Sequence, residues 1–234
     1  MSATRHIVVL GGGGFGAGPE GARIDDYTLR LTGKRRPKVC FIGTATGDAP
    51  VYIMKFYQAF AGERAEPSHL PLFGRPRTDI ADFLTSQDVI YVGGGNTANM
   101  LAVWRVHGVD RALRAAWERG VVLTGVSAGM ICWFEAGVTD SFGPLAALND
   151  GLGFLRGSAC PHYDGEKDRR PTYHALIERG FPAGIAADDL AALHFVGTEL
   201  ETCVAARPTA GVYRLEARNR AVVETPVPVK FLAD

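Results

Sequence analysis

The chain predicts an α/β protein built on a mostly parallel sheet with helices on both faces. Three observations carry that prediction. Apolar runs of five or six residues recur through the N-terminal two thirds, glycine-rich turns close them, and helix-spaced segments separate them. Strands covered on both faces read as near-continuous apolar runs, and parallel strands need helical crossovers between them.

The elements follow in order. His6–Leu10 is the first strand and ends in the glycine cluster 11–14. Residues 38–43 (KVCFIG) form the second, closed by the turn-like Thr44-Ala-Thr-Gly-Asp48. Residues 50–62 read as a helix, because Ile53, Phe56, Tyr57 and Phe60 recur at helical spacing. A further strand is expected over 68–73, and a clear one over 88–92 (DVIYV), running into Gly93-Gly-Gly-Asn-Thr97. Thr97–His107 and 110–119 read as helices, with Asp110 as the N-cap of the second. Residues 121–126 form a strand that meets Ser127-Ala-Gly129, and 130–135 continue as an apolar, helix-like stretch. Beyond Leu190 the pieces Ala191–Val196, 201–205, 211–215 and 221–224 alternate with Gly, Pro and Asn. They predict short antiparallel strands near the C-terminus, added to the same unit, so 1–234 is read as a single domain. In such sheets the loops at the carboxyl ends of the strands form the ligand crevice. Residues 11–16, 43–48, 93–97 and 125–129 would line that edge.

Composition narrows the function. The chain has 234 residues, enough to bury a core without a disulfide or metal staple. Lys plus Arg is 25 and Asp plus Glu is 25, a balance that argues against nucleic acid or an anionic membrane as partner. Cys40, Cys132, Cys160 and Cys203 lie far apart with no metal-ligand spacing, so they read as buried thiols of a reducing compartment. No apolar run approaches a membrane span, and the N-terminus does not read as a signal peptide. A cytoplasmic protein without metal or other cofactor is expected.

Gly125-Val-Ser-Ala-Gly129 fits G-x-S-x-G and sits between a strand and a helix, the context a nucleophile elbow requires. Flanking glycines permit a tight turn that exposes Ser127, and the Ala128 N–H at the helix start would face a developing oxyanion. Gly93-Gly-Gly-Asn96 ends the neighbouring strand; there a backbone N–H can complete a two-donor oxyanion hole, or the segment is a plain turn. A serine nucleophile needs a base. Of six histidines, His162 in Ala159-Cys-Pro-His-Tyr-Asp164 is best placed, because it follows a short apolar piece and lies in a loop. The first glycine cluster formally contains G-x-G-x-x-G. Residues 17–21 read as poor helix material, however, and Asp48 comes late for a ribose contact, which disfavours a dinucleotide site.

Together, residues 89–97 with GGGNT, the Gly125-Val-Ser-Ala-Gly129 elbow and the Pro161-His162 loop resemble, in this order, the peptidase E group. These are aspartyl dipeptidase-like serine peptidases, related more distantly to cyanophycinase. The stretch from Ser127 through Glu135 to Ser141 resembles one bacterial branch, and the likeness runs from about His6 to about Leu215. The resemblance implies a class I glutamine amidotransferase-like sheet with serine as nucleophile. It further implies cleavage of short peptides, with N-terminal Asp preferred in the best-known members. Ser127 matches the nucleophile, His162 the base, and Gly94 or Gly95 with Ala128 the oxyanion donors. The family's third member, a glutamate, falls on Asp189, one methylene shorter; Asp188 and Asp140 remain rivals. Asp189 lies where the strand-like Gly184–Ala187 gives way to a loop, and Asp188 would face the opposite way. Arg170, in Glu166-Lys-Asp-Arg-Arg170, aligns with a family arginine and could bind an acidic side chain or terminal carboxylate; a solvated charged loop is the other reading.

The expected function is therefore serine-type hydrolysis of short peptides, with dipeptides as the expected substrates and a Ser-His-Asp triad forming an acyl-enzyme. The expected partner is a small peptide, with self-association open. Two alternatives stand beside it. An α/β-hydrolase-type esterase would use the chain order Ser127, Asp140, His162, although 35 residues between Ser127 and His162 is short for that fold. A catalytically silent binding protein could keep the same pocket.

Overall fold

The computed structural model describes residues 4–74, 77–219 and 221–233. In chain order the elements are β1 (His6–Leu10), α1 (Gly18–Arg30), β2 (Lys38–Ile42), α2 (Pro50–Phe60), β3 (Glu66–His69), α3 (Ile80–Thr85) and β4 (Val89–Val92). Then come α4 (Thr97–His107), α5 (Val109–Glu118), β5 (Val122–Val126), α6 (Ala128–Ile131), β6 (Phe134–Thr139), β7 (Ala146–Leu148) and β8 (Leu155–Cys160). The last are α7 (Arg169–Glu178), β9 (Gly184–Ala187), β10 (Ala191–Val196), β11 (Glu199–Ala205), β12 (Val212–Arg218), β13 (Ala221–Val227) and β14 (Val229–Phe231).

Alternate residues of each central strand enter different cores, which is why these strands are apolar throughout. Ile7 and Val9, Cys40 and Ile42, and Ile90 and Val92 pack with Ile80, Leu84, Met100, Trp104, Leu113 and Trp117 of α3–α5. Their neighbours Val39, Phe41, Val89 and Tyr91 pack on Phe56 and Phe60 of α2, while Val8 and Leu10 pack on Ile24 of α1. Helices therefore cover both faces, as the sequence predicts. The sheet has eight strands in the order β14-β11-β10-β1-β5-β4-β2-β3. From β1 to β3 every pairing is parallel; β10 joins β1 antiparallel and β11 joins β10 antiparallel.

A second sheet of six strands, β13-β12-β9-β8-β6-β7, departs from the single sheet expected. Its centre, β6-β8-β9, is parallel, and β12, β13 and β7 are added antiparallel. Phe134, Leu155, Ile185 and Val212 of this sheet share one buried cluster with Ile7, Val9 and Leu193 of the first. The C-terminal strands thus divide between two sheets.

Four local expectations need correction. The apolar stretch 130–135 is not a helix: α6 ends at Ile131, and Phe134 enters β6 opposite Leu155, since a short apolar run has no period that separates strand from buried helix. Residues 17–21 do start a helix; proline is tolerated in the first turn, and Ile24, Thr28 and Leu29 give α1 its buried face. The strand expected at 68–73 runs instead over β3. Beyond it the Leu72 and Phe73 N–H groups donate to the Asp48 carboxylate rather than to a strand. Gly108, not Asp110, is the N-cap position of α5, with Asp110 in its first turn.

Candidate active site

Ser127 leaves the end of β5 and enters α6 with φ 58° and ψ −110°, a conformation that costs a non-glycine residue of order 1–3 kcal/mol. The two motif glycines explain how the turn closes. A Cβ on Gly125 would lie 2.4 Å from the Gly129 oxygen, and one on Gly129 would lie 2.3 Å from the Val92 oxygen. The Ser127 N–H donates to the Leu10 oxygen at 3.1 Å, and its carbonyl accepts from Met130 and Ile131. Ala128 opens α6, so its N–H is among those a helix leaves unpaired. Gly94 approaches the serine closely, since a Cβ there would be 3.2 Å from the Ser127 Cβ. Gly95 has φ 130° and backs onto the Ala45 carbonyl. Among the described residues neither the Gly94 nor the Gly95 N–H has an acceptor in the chain.

His162 follows β8 with φ 53°, and its Nδ1 is 2.7 Å from the Asp189 Oδ1. That hydrogen bond, with the nearby imidazole, holds the Asp189 carboxyl below its ordinary value despite partial burial. His162 and Ser127 line one cleft of about 280 Å³. The other five histidines are elsewhere: His6 pairs with His194 at 2.9 Å, His69 with Tyr57, His174 with Glu224, and His107 ends α4. Asp188 faces away, buried, with its Oδ2 accepting the Gly211 N–H at 2.8 Å, and burial pushes its carboxyl up. Asp140 is exposed in a turn closed by the Gly143 N–H, so the chain order Ser127, Asp140, His162 has no carboxylate at the histidine.

Arg170 does not line the cleft. Its Nη2 is 3.1 Å from the Glu224 Oε1, and its guanidinium lies over the Tyr163 and Tyr213 rings at 4.6 and 4.9 Å. Among the described residues no group of three or more His, Cys, Asp and Glu could hold a metal ion. No described helix is long and apolar enough to cross a membrane. All four cysteines are free and buried, and burial pushes Cys40, Cys160 and Cys203 up to about 12.

The family model for peptidase family S51 matches residues 7–203. The chain belongs to peptidase family S51. A relative 51% identical over 229 residues is the uncharacterized peptidase YgaJ of Bacillus subtilis (strain 168), with 97% of this chain and 99% of that protein covered. A peptidase from an acI-B1 Actinobacterium shares the fold with a TM-score of 0.74 at 18% identity, covering 98% of this chain and 96% of that one. A putative peptidase E protein from Listeria monocytogenes EGD-e superposes with a TM-score of 0.61 at 17% identity, covering 97% and 100%.

In this S51 peptidase the glycine loop after β1 serves the histidine. The Gly11 carbonyl accepts from the His162 N–H at 3.3 Å, and Gly12 forms a parallel bridge with Asp189. A Cβ on Gly12 would sit 1.9 Å from the Asp189 Oδ1 and 2.8 Å from the His162 Nδ1. Sequence reading did not find this role, because it depends on which loop lies opposite. It also missed Asp164, whose Oδ1 accepts the Asp189 N–H at 2.8 Å, and Arg207, which bridges the Asp164 carboxylate and the Asp189 carbonyl. Phe15, Phe41 and Tyr52 line the cleft; Phe41 falls in the strand read over 38–43 and Tyr52 in the helix read over 50–62, while Phe15 in the glycine-rich loop 11–16 carried no such signal.

Proposed function

We propose that this peptidase is serine-type and hydrolyses short peptides through Ser127, His162 and Asp189. The observation that carries the reading is a serine at a positive-φ strand-to-helix turn, sharing a cleft with a histidine whose far nitrogen is hydrogen-bonded to a carboxylate. With Nδ1 engaged by Asp189, Nε2 of His162 is the nitrogen left to take the Ser127 proton. The serine oxygen attacks the scissile carbonyl, and the oxyanion accepts from the Ala128 N–H and that of Gly94 or Gly95. The imidazolium gives its proton to the leaving amine, an acyl-enzyme remains, and water activated by the same histidine releases it. Asp189 fixes the tautomer and stabilises the imidazolium. Ser127 Oγ has no hydrogen-bond partner among the described residues, so bound substrate closes the Ser–His contact.

The modest cleft supports short peptides, dipeptides included. The test is covalent labelling by a fluorophosphonate together with amine release from a dipeptide panel. Labelling that maps to Ser127 and is lost in Ser127→Ala, with peptide turnover lost in step, is the expected result. An unlabelled protein that releases no amine would instead favour a silent binding protein on this fold.

A further inference from the structure

We propose that Glu224, on the outer hairpin of the second sheet, is a positioning residue for His162 and acts on it through Tyr163. The proposal rests on His162 being the base of the serine reaction and names a support of that base outside the cleft.

His162 needs such a support. Its φ of 53° lies in the left-handed region, which a non-glycine residue keeps only where its surroundings fix it. On one side its own N–H reaches the Gly11 carbonyl at a long 3.3 Å. The firmer anchor is the next residue. Tyr163 donates its N–H to the Ala187 carbonyl at 3.1 Å, and its side chain is buried. The far end of the ring is pinned as well, because the hydroxyl donates to the Glu224 Oε2 at 2.5 Å.

Glu224 lies in β13, opposite Leu215 of β12, and ties several elements together. Its Oε2 also accepts from the His174 Nε2 at 2.7 Å, and its Oε1 is 3.1 Å from the Arg170 Nη2. One carboxylate thus joins α7 and the His162 loop to the hairpin. Burial works against its charge, but the hydrogen bonds from Tyr163 and His174 and the Arg170 guanidinium hold the carboxyl below its ordinary value. It is therefore an anion, the stronger kind of acceptor, at the pH where a neutral histidine works. Without it the buried Tyr163 hydroxyl loses its acceptor, and the ring must shift to find another. The backbone at His162 is then free to relax, and the imidazole leaves its alignment with Ser127 and Asp189. Small misplacements of that kind are costly to rate and not to substrate binding.

The experiment compares Glu224→Ala, Glu224→Gln, Tyr163→Phe and His174→Ala, each checked for an unchanged fold by its melting temperature. Glu224→Ala and Tyr163→Phe are each expected to lower kcat and the rate of fluorophosphonate labelling by about tenfold, with KM within about twofold. Their double variant should be no slower than either alone, since both cut one path. Glu224→Gln keeps an acceptor for Tyr163 and should recover most of the rate. His174→Ala removes a different partner of the same carboxylate and should stay within about twofold of wild type. A second readout needs no turnover: the low-field proton resonance of the His162–Asp189 hydrogen bond should move or broaden in Tyr163→Phe, which keeps every charge. If Glu224→Ala does not fold, Tyr163→Phe and Glu224→Gln carry the test. A folded Tyr163→Phe with wild-type kcat and an unmoved resonance overturns the proposal, as does a loss confined to KM. Wild-type protein that is not labelled at Ser127 removes the nucleophile instead, and the resonance still reads how His162 is held.

Discussion

The two halves of the candidate site are held by different sheets and by different kinds of contact. Ser127 sits at the end of β5 in the eight-stranded sheet, and most of its turn is local: Gly125, Gly129 and the first turn of α6 are within a few residues, with Leu10 and Val92 of adjoining strands behind them. His162 and Asp189 sit at the ends of β8 and β9 in the six-stranded sheet, and their geometry is assembled from a distance. Gly11 and Gly12 from the first sheet, Asp164 from the loop after β8 and Arg207 from beyond β11 all touch that pair or its backbone. A local turn can be recognised in a sequence, whereas a histidine and its carboxylate are placed by packing across a seam.

Variants can break each half in turn, and the largest effect is expected on the local side. Ser127→Ala should lower kcat by about 10⁵–10⁶-fold with an unchanged melting temperature, because a nucleophile is not replaced by its neighbours. Retention of more than a trace of peptide hydrolysis would move the nucleophile elsewhere. On the assembled side, Asp189→Asn should lower kcat by about 10⁴-fold, and Asp188→Asn and Asp140→Asn by no more than about tenfold. A collapse in Asp140→Asn with Asp189→Asn near wild type would reverse the assignment.

Gly12→Ala sharpens the comparison, since it adds one methyl group from the first sheet against the pair on the second. The clash with the Asp189 Oδ1 is expected to cost about 10²-fold in kcat with KM little changed. Arg207→Ala removes a more distant support and should cost about tenfold, read as a kcat loss in a folded protein.

A separate effect, on folding rather than on rate, concerns stability under the glycine loop. Asp25 in α1 is buried, and desolvation pushes its carboxyl up to about 7 even though Arg64 lies 4.0 Å away. An unfolded carboxyl ionises near 3.8, so from about pH 4 to 7 the unfolded chain sheds a proton that the folded one keeps. Folded wild type therefore loses stability as pH rises through that window, by up to about 4 kcal/mol above it. Asp25→Asn should remove that slope, so its advantage over wild type in urea unfolding grows from pH 4 to pH 8. An identical slope in both proteins would place the ionisation elsewhere.

How much of this was readable in advance differs along the chain. The strand at β5, the elbow at Ser127 and the strand β4 running into Gly93–Gly95 were legible, because apolar runs and glycine turns are written in consecutive residues. His162 was legible as a loop histidine after an apolar piece. Asp189 needed the family likeness as well, since its place at a strand end and the alternation that turns Asp188 away still left Asp188 and Asp140 as rivals. The burial of Asp188 against Gly211 and the exposure of Asp140 separate them in space. The second sheet was not legible, and 130–135 was misread, because Trp133 and Phe134 would suit a buried helix as well as the turn and strand they form.

The sequence by itself determined the parallel sheet, the covering of both its faces and the strained turn at Ser127, all products of near-neighbour sterics and of apolar periodicity. Only the tertiary structure decided that a glycine loop after β1 would back the histidine, that Arg170 would be spent on Glu224, and that three aromatic rings would wall the cleft. Each of those depends on which surfaces meet when two sheets share one core, and no local preference of the chain encodes that meeting.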